Sequence, residues 1–439
     1  MALDFLILYE HISRELESNC LLMAELQKRG YSVELMQLMA RKKLKYFLWK
    51  KPKVIITSAM YDNETLNSFV YNNVGKLNKV INLHWEEVLS REQEESSFYS
   101  LKQNAAKCVH ICWGNAAKKR IVAHGVSEKN AVVTGALHLD FLGDNFKSSL
   151  VGKHRLAEKY SLDESMNWIL YISSFSCASM DDKEIEELNS MTDLNFTGFR
   201  EVGLRSMKVT LDWFSRFLSE RPNNILIYRP HPNEWSSPVL AEMQKKYSNF
   251  KVISDYSIRE WIYACDTIFS WMSTSIAEVY FLKKNCLILR PEPLYSDYDP
   301  VIYEGCDAVS SYDELLSSFD RGITSFPIEP SLIEEHYSFI PNMPAYMRVA
   351  DLSESVYLNE PSELPFSEGF KPRFNLLKFF VLFFLNLMVT LRIDPLKFRF
   401  LFGRKFCEQA ARLVGYIKKG RVSKKEIERL VLEYGRIIQ

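Results

Sequence analysis

Eleven short apolar runs alternate with stretches of helical periodicity through the first two thirds of the chain, and this alternation restricts the fold more than any other feature. Six runs, at 4–9, 32–35, 54–57, 80–83, 109–113 and 131–134, form a first set. Five more, at 168–173, 224–228, 250–253, 267–269 and 285–289, form a second. Between the first two runs Leu16, Cys20, Leu22, Met23 and Leu26 recur near helical spacing, and Gly30 closes the pattern. Strands that are apolar on both faces, with helices between them, make parallel sheets covered on both sides. A chain of 439 residues exceeds a single core, and a polar stretch near 144–165 separates the two sets. The expected architecture is therefore α/β, with a doubly wound Rossmann-like domain over 1–150 and a second over 151–326.

The remainder differs in composition. Seven prolines between Pro327 and Pro372 read as an irregular connector over 327–370. Beyond it, 371–439 reads as a basic amphipathic helical region. From Phe366 onward the chain carries 16 Lys and Arg against six acids, although the whole protein has a formal net charge of zero. Its apolar run at 376–391 is broken by Lys378 and Asn386 and falls short of the roughly 20 residues that span hydrocarbon. The run reads as an interfacial helix on the anionic inner leaflet, with the protein peripheral on the cytoplasmic membrane's inner face; the alternatives are a core helix packed on the second domain and a spanning helix. Nucleic acid is not an expected partner, because the tail's aromatics do not interleave with its cations as a base-stacking surface requires. Residues 1–10 carry Asp4 and lack a basic leader, so they read as a strand and not as a signal peptide. Cys108, His110 and Cys112 would share one strand face, but their apolar setting offers no fourth ligand. No metal and no cofactor are expected.

Side chains able to do chemistry gather where strands end, which is where open α/β sheets bind ligands. Arg229-Pro230-His231-Pro232 follows the run at 224–228, and the two prolines stiffen the backbone on either side of the imidazole. Such a ring can donate to a phosphate on a leaving nucleotide, with Arg229 adding fixed positive charge. Ser273-Thr274-Ser275 follows the run at 267–269 and opens a helical pattern, a place for phosphate oxygens. Glu278, one turn on, could accept from ribose hydroxyls or close a capping box. Ser173 and Ser174 end another strand and are weaker phosphate candidates. In the first domain, Glu86 and Glu87 of His84-Trp85-Glu86-Glu87 can supply a general base, with no ground for choosing between them. Arg14, Glu15 and His138 are weaker candidates for lining the acceptor side.

These motifs, in this order, resemble bacterial surface-carbohydrate and capsule glycosyltransferases of the GT-B type. That group includes polysialyltransferases, Kdo transferases and CDP-glycerol glycerophosphotransferases. The resemblance rests on His231-Pro232, on Ser273-Thr274-Ser275, and on Cys112-Trp113-Gly114 through Val132-Val133-Thr134-Gly135 to Asp140. It implies two doubly wound domains facing a cleft, with the His-Pro and Ser/Thr motifs on the donor phosphate and the acidic pair as base. Val88 stands where the family pattern has glycine, and Ala136-Leu137-His138-Leu139 replaces Asn-Pro-Arg-Phe. The implied activity is transfer of a sugar, or an alditol phosphate, from a nucleotide donor to a glycan or lipid-linked acceptor. CMP- or CDP-linked donors are favoured and UDP-linked ones possible. The alternatives are a nucleotide-sugar epimerase of the same fold, or a non-catalytic nucleotide- or glycan-binding relative.

Overall fold

The computed structural model describes residues 3–39, 44–75, 79–84, 86–96, 100–234, 237–255, 257–295, 297–359 and 370–439. Every expected apolar run is a strand. The first sheet contains β1 (Leu3–Tyr9), β2 (Val33–Gln37), β3 (Pro52–Thr57), β4 (Lys79–Asn82), β5 (Val109–Cys112) and β6 (Ala131–Val133). The second contains β7 (Asn167–Ile172), β8 (Asn224–Arg229), β9 (Phe250–Val252), β10 (Thr267–Ser270), β11 (Cys286–Leu289) and β12 (Ala308–Val309). Only the two-residue β12 was not foreseen, because two residues show no periodicity. All neighbouring strands pair in parallel. Phe5 to Leu8 in β1 and Trp168 to Tyr171 in β7 are fully enclosed, as parallel strands under two helical layers must be.

Strand order locates the ligand-binding edge of each sheet. The first runs β2-β1-β3-β4-β5-β6, so its direction of winding reverses between β1 and β3. The second runs β9-β8-β7-β10-β11-β12 and reverses between β7 and β10. At such reversals the loops leaving two neighbouring strands part to opposite faces and open a crevice at the carboxyl edge.

The chain forms two compact units. One comprises 1–87, 101–140 and 338–439; the other comprises 88–100 and 141–337. In the second unit the 25-residue helix Phe196–Glu220 lays Phe214 and Phe217 on the sheet, with the Phe214 ring 4.9 Å from that of Tyr171. Its start is capped by the Asn195 side chain, which accepts from the Gly198 amide at 2.9 Å.

The proline-rich segment is not irregular throughout. Helices Pro330–His336 and Ala345–Leu358 occupy much of it. Pro330 sits in the first turn of one and Pro344 precedes the other, positions where the missing N–H costs nothing and the fixed φ favours entry. Asp140 then secures the second helix within its unit, accepting from the Ala345 and Tyr346 amides at 2.7 and 2.6 Å. The final helix, Lys424–Ile437, packs on helix Glu17–Lys28, where Lys28 Nζ donates to the Ile438 carbonyl at 2.6 Å. Sequence spacing carries no signal for contacts made across some four hundred residues.

Candidate functional site

In the second unit, three loops leave the carboxyl ends of the adjacent strands β8, β7 and β10. Ser173 follows β7, the Arg229–Pro232 turn belongs to β8, and Ser273–Ser275 follow β10. Ser173 and the Ser273–Ser275 loop therefore flank the winding reversal. The β8 turn is the next loop over, tied to β7 by the Ser173 amide donating to the Arg229 carbonyl at 3.0 Å.

The His231 turn is held by a residue that the sequence reading did not single out. Glu234 accepts from the Ser173 hydroxyl at 2.6 Å, from the Tyr228 hydroxyl at 2.7 Å and from the His231 amide at 3.2 Å. The Ser173 and Tyr228 hydroxyls also lie 2.8 Å apart. One carboxylate thus fastens the β8 turn to the end of β7, and its enclosure raises its pKa above the usual carboxylate value. The Asn233 amide donates to His231 Nδ1 at 3.2 Å, so a neutral ring carries its proton on Nε2. His231 itself is half-buried.

The other candidates of this unit divide. Arg229 Nη1 donates to the carbonyls of Asp255, at 2.6 Å, and Ile253, at 3.3 Å, which commits it toward β9. Burial lowers its pKa to about 10, against the favourable charge of Tyr160 and Asp255. Ser173 spends its hydroxyl on Glu234, whereas Ser174 is half-exposed. The Ser273 backbone is clamped by Tyr303, whose hydroxyl accepts from its amide at 2.8 Å and donates to its carbonyl at 2.7 Å. Ser273 Oγ accepts from the Ser275 amide at 3.3 Å, and Thr274 and Ser275 stand half-buried at the opening of helix Ile276–Phe281. Glu278 lies in the first turn of that helix and is buried.

In the first unit the candidates fall into two groups. Glu15 and Arg14 occupy the turn Ile12–Leu16 after β1, at the winding reversal. Glu15 is buried and accepts from the Ser58 hydroxyl at 2.5 Å and from the Glu10 and His11 amides at 3.1 and 3.0 Å. Its enclosure raises its pKa despite these three donors. The second group lies beyond β4, β5 and β6. Glu87 is buried, and its carboxylate accepts from the Trp113 amide. The Trp113 ring meets His138 edge-on at 5.2 Å, and Arg120 Nη1 donates to the Glu87 carbonyl at 2.8 Å. Glu86 is half-buried, and its Oε1 accepts from the Glu87 amide at 3.0 Å. Trp85 lies outside the described residues. Just before them His84 adopts φ 54°, strained for a residue with a side chain, and its Nε2 lies 3.2 Å from His110 Nδ1. Among the described residues no group of three His, Cys, Asp or Glu side chains is arranged to hold a metal ion.

Burial separates the acidic pair. It pushes the Glu87 carboxyl up to about 8, against the Trp113 amide and Arg120, with Glu86 adding to the rise. A carboxyl bound to its proton more tightly in the folded state stabilises the fold at low pH, and that contribution fades as pH rises from about 4.5 to about 8. Glu87→Gln, which keeps an acceptor for the Trp113 amide, is expected to melt with a weaker pH dependence across this window. Thermal unfolding of both proteins at several pH values checks this. Parallel curves would mean that Glu87 is not enclosed.

No protein-family model matches the chain, and no curated protein matches it in sequence. Solved structures do match its fold. The wall teichoic acid polymerase TagF aligns with a TM-score of 0.53 at 10% identity, covering 81% of this chain and 89% of the polymerase chain. The same polymerase soaked with CDPG aligns at 0.50 and 11% identity, over the same shares. The UDP-GlcNAc 2-epimerase of Methanocaldococcus jannaschii aligns at 0.50 and 13% identity, over 81% of this chain and all of the epimerase chain. The fold is GT-B-like, with two parallel six-stranded sheets and a helical C-terminal tail.

Proposed function

We propose that the protein is a nucleotide-dependent transferase of cell-surface polymer synthesis, moving a sugar or an alditol phosphate onto a glycan or lipid-linked acceptor. The observation that carries this reading is the gathering of the Ser173, His231 and Ser273–Ser275 loops on three adjacent strands beside one winding reversal. His231 Nε2–H would donate to the donor phosphate and stabilise the charge that forms there as the nucleotide leaves. Thr274, Ser275 and Glu278 would bind phosphate oxygens and ribose hydroxyls. Arg229 would act on the β9 side, by keeping its loop in place. Glu86, the more accessible carboxylate of its pair, would take the proton from the acceptor hydroxyl, while Glu87 holds the loop on which Glu86 stands.

The fold neighbours support a nucleotide-linked substrate, since one is a wall teichoic acid polymerase soaked with CDPG and another a UDP-GlcNAc 2-epimerase. Both chemistries require a nucleotide site, and they differ in what leaves it. A thermal-shift panel of CMP, CDP, UDP, GDP and TDP tests the site directly. A ligand bound only by the folded protein adds about 2.7 kcal/mol at a hundred times its Kd. A shift by cytidine nucleotides and not by the others is the expected result. Incubation with the matching activated donor should then release free nucleotide only with acceptor present. An epimerised donor that keeps its nucleotide would replace the transferase reading with the epimerase. Absence of any shift would remove the site.

A further inference from the structure

Within the first unit the C-terminal region presents an apolar face that is exposed among the described residues. Helix Leu376–Leu391 buries Leu385 and Asn386 against helix Arg404–Lys419, in a small cluster with Met39, Ala410, Val414 and Ile417. Asn386 Nδ2 anchors it by donating to the Met39 carbonyl at 2.8 Å. On the other side Leu377, Val381, Phe384 and Leu391 recur at helical spacing and are exposed. The chain then turns sharply. Arg392 closes the helix in the left-handed region at φ 55°, the Asp394 carboxylate accepts from the Leu396 amide at 3.0 Å, and Pro395 opens the next helical segment. Pro395–Phe402 leaves at 114° to the first helix. Its end carries Phe400, Leu401 and Phe402, exposed by 88%, 76% and 62%. A single exposed leucine is ordinary, but three consecutive exposed large apolar residues following a second exposed stripe are more apolar surface than monomeric proteins usually leave open.

We infer that this bend docks on the surface of an anionic lipid bilayer, lying in its interface without crossing it. Charge identifies the occupant. Between Lys371 and Lys419 the chain carries eleven Lys and Arg against two acids, Asp394 and Glu408. Arg373, Arg392, Lys397, Arg399, Arg404 and Lys405, all exposed, border the apolar residues. A protein partner of neutral surface would gain from the apolar face but would leave these cations repelling one another, whereas anionic headgroups above an acyl layer satisfy both. Length sets the depth. Sixteen residues rise only about 24 Å, less than the roughly 30 Å of hydrocarbon. Among the described residues no single helix is long and apolar enough to cross a membrane; the two segments of the bend together have the length and composition, but the 114° turn between them keeps them from forming one straight span.

The docking face is also attached to the first unit at the loop after β1. Tyr416, on the helix that supports the bend, donates to the Glu10 carboxylate and packs edge-on against His11 at 5.8 Å. Tyr9 donates to the Gly420 carbonyl at 3.1 Å. A docked bend therefore holds the first unit's winding reversal near the lipid. If the transferase reading is right, this favours the lipid-linked acceptor of the two classes named above.

Flotation of the full-length protein with vesicles tests the docking without nucleotide or acceptor, so its failure is distinct from failure of the donor site. The wild type should float with phosphatidylglycerol-containing vesicles, less with pure phosphatidylcholine, and less again at high salt. Phe400→Asp with Leu401→Asp should bind the anionic vesicles at least about tenfold more weakly. Both side chains are already exposed, so the unfolding temperature should stay unchanged. Wild type that stays at the bottom of the gradient, or a variant that floats equally well, overturns the proposal. So does a vesicle-independent dimer that the same substitutions dissolve, since the face would then belong to a second copy.

Discussion

His231→Ala is expected to abolish the nucleotide-induced thermal shift and to lower turnover by about 10²–10³-fold, the usual cost of removing one preorganised donor to developing charge. The unliganded protein should unfold at nearly the same temperature. His231 is half-buried at a turn, and its Nδ1 accepts from the Asn233 amide. Pro230 and Pro232 fix the backbone on either side, and Glu234 holds the His231 amide whatever side chain is present. The variant should therefore separate chemistry from folding. His231→Asn, whose carboxamide can still donate, should recover part of the nucleotide shift with less of the turnover. Full activity in the alanine variant would remove the β8 turn from the mechanism.

That test is possible because the strand ends were legible. Parallel strands enclosed on both faces leave continuous apolar runs, so β7, β8 and β10 could be located from composition and length, and the polar motifs after them fell at one sheet edge. Strand order was not legible. It places the first unit's winding reversal at Glu10, Glu15 and Ser58, whereas the strand-end reading had favoured Glu86 and Glu87 beyond β4. Glu234 was missed for a different reason. An acid in a turn three residues after a histidine reads as solvated, and only the folded turn shows it enclosed by Ser173 and Tyr228. Its signal was the i, i+3 spacing in His231-Pro232-Asn233-Glu234, the spacing at which a side chain can return to its own turn. The proline-rich segment misled because proline breaks a helix interior but begins a helix well, and spacing alone does not distinguish the two.

Glu234→Ala should destabilise the second unit while leaving its hydrophobic core intact. The carboxylate accepts from two side-chain hydroxyls and a backbone amide, and Tyr228 and Ser173 are both buried. A buried donor left without its acceptor costs about 1–3 kcal/mol. The Ser173 and Tyr228 hydroxyls are close enough to bond each other, which limits the loss to about 2–3 kcal/mol overall. Equilibrium urea unfolding should show a lower midpoint with an unchanged slope. Nucleotide affinity should fall as well, because the turn bearing His231 loses its tie to the end of β7. Glu234→Gln isolates the role of charge. One amide oxygen can serve a hydroxyl or the His231 amide, and its NH2 can donate to the hydroxyl oxygens after they rotate. Most of the stability should return. The raised pKa of the wild-type carboxyl means that it stabilises the fold at low pH and that this contribution is lost as pH rises through the folded pKa. The glutamine variant should therefore gain on the wild type as pH increases. If the alanine variant instead keeps both its urea midpoint and its nucleotide shift, Pro230 and Pro232 suffice to orient His231, and Glu234 has no positioning role.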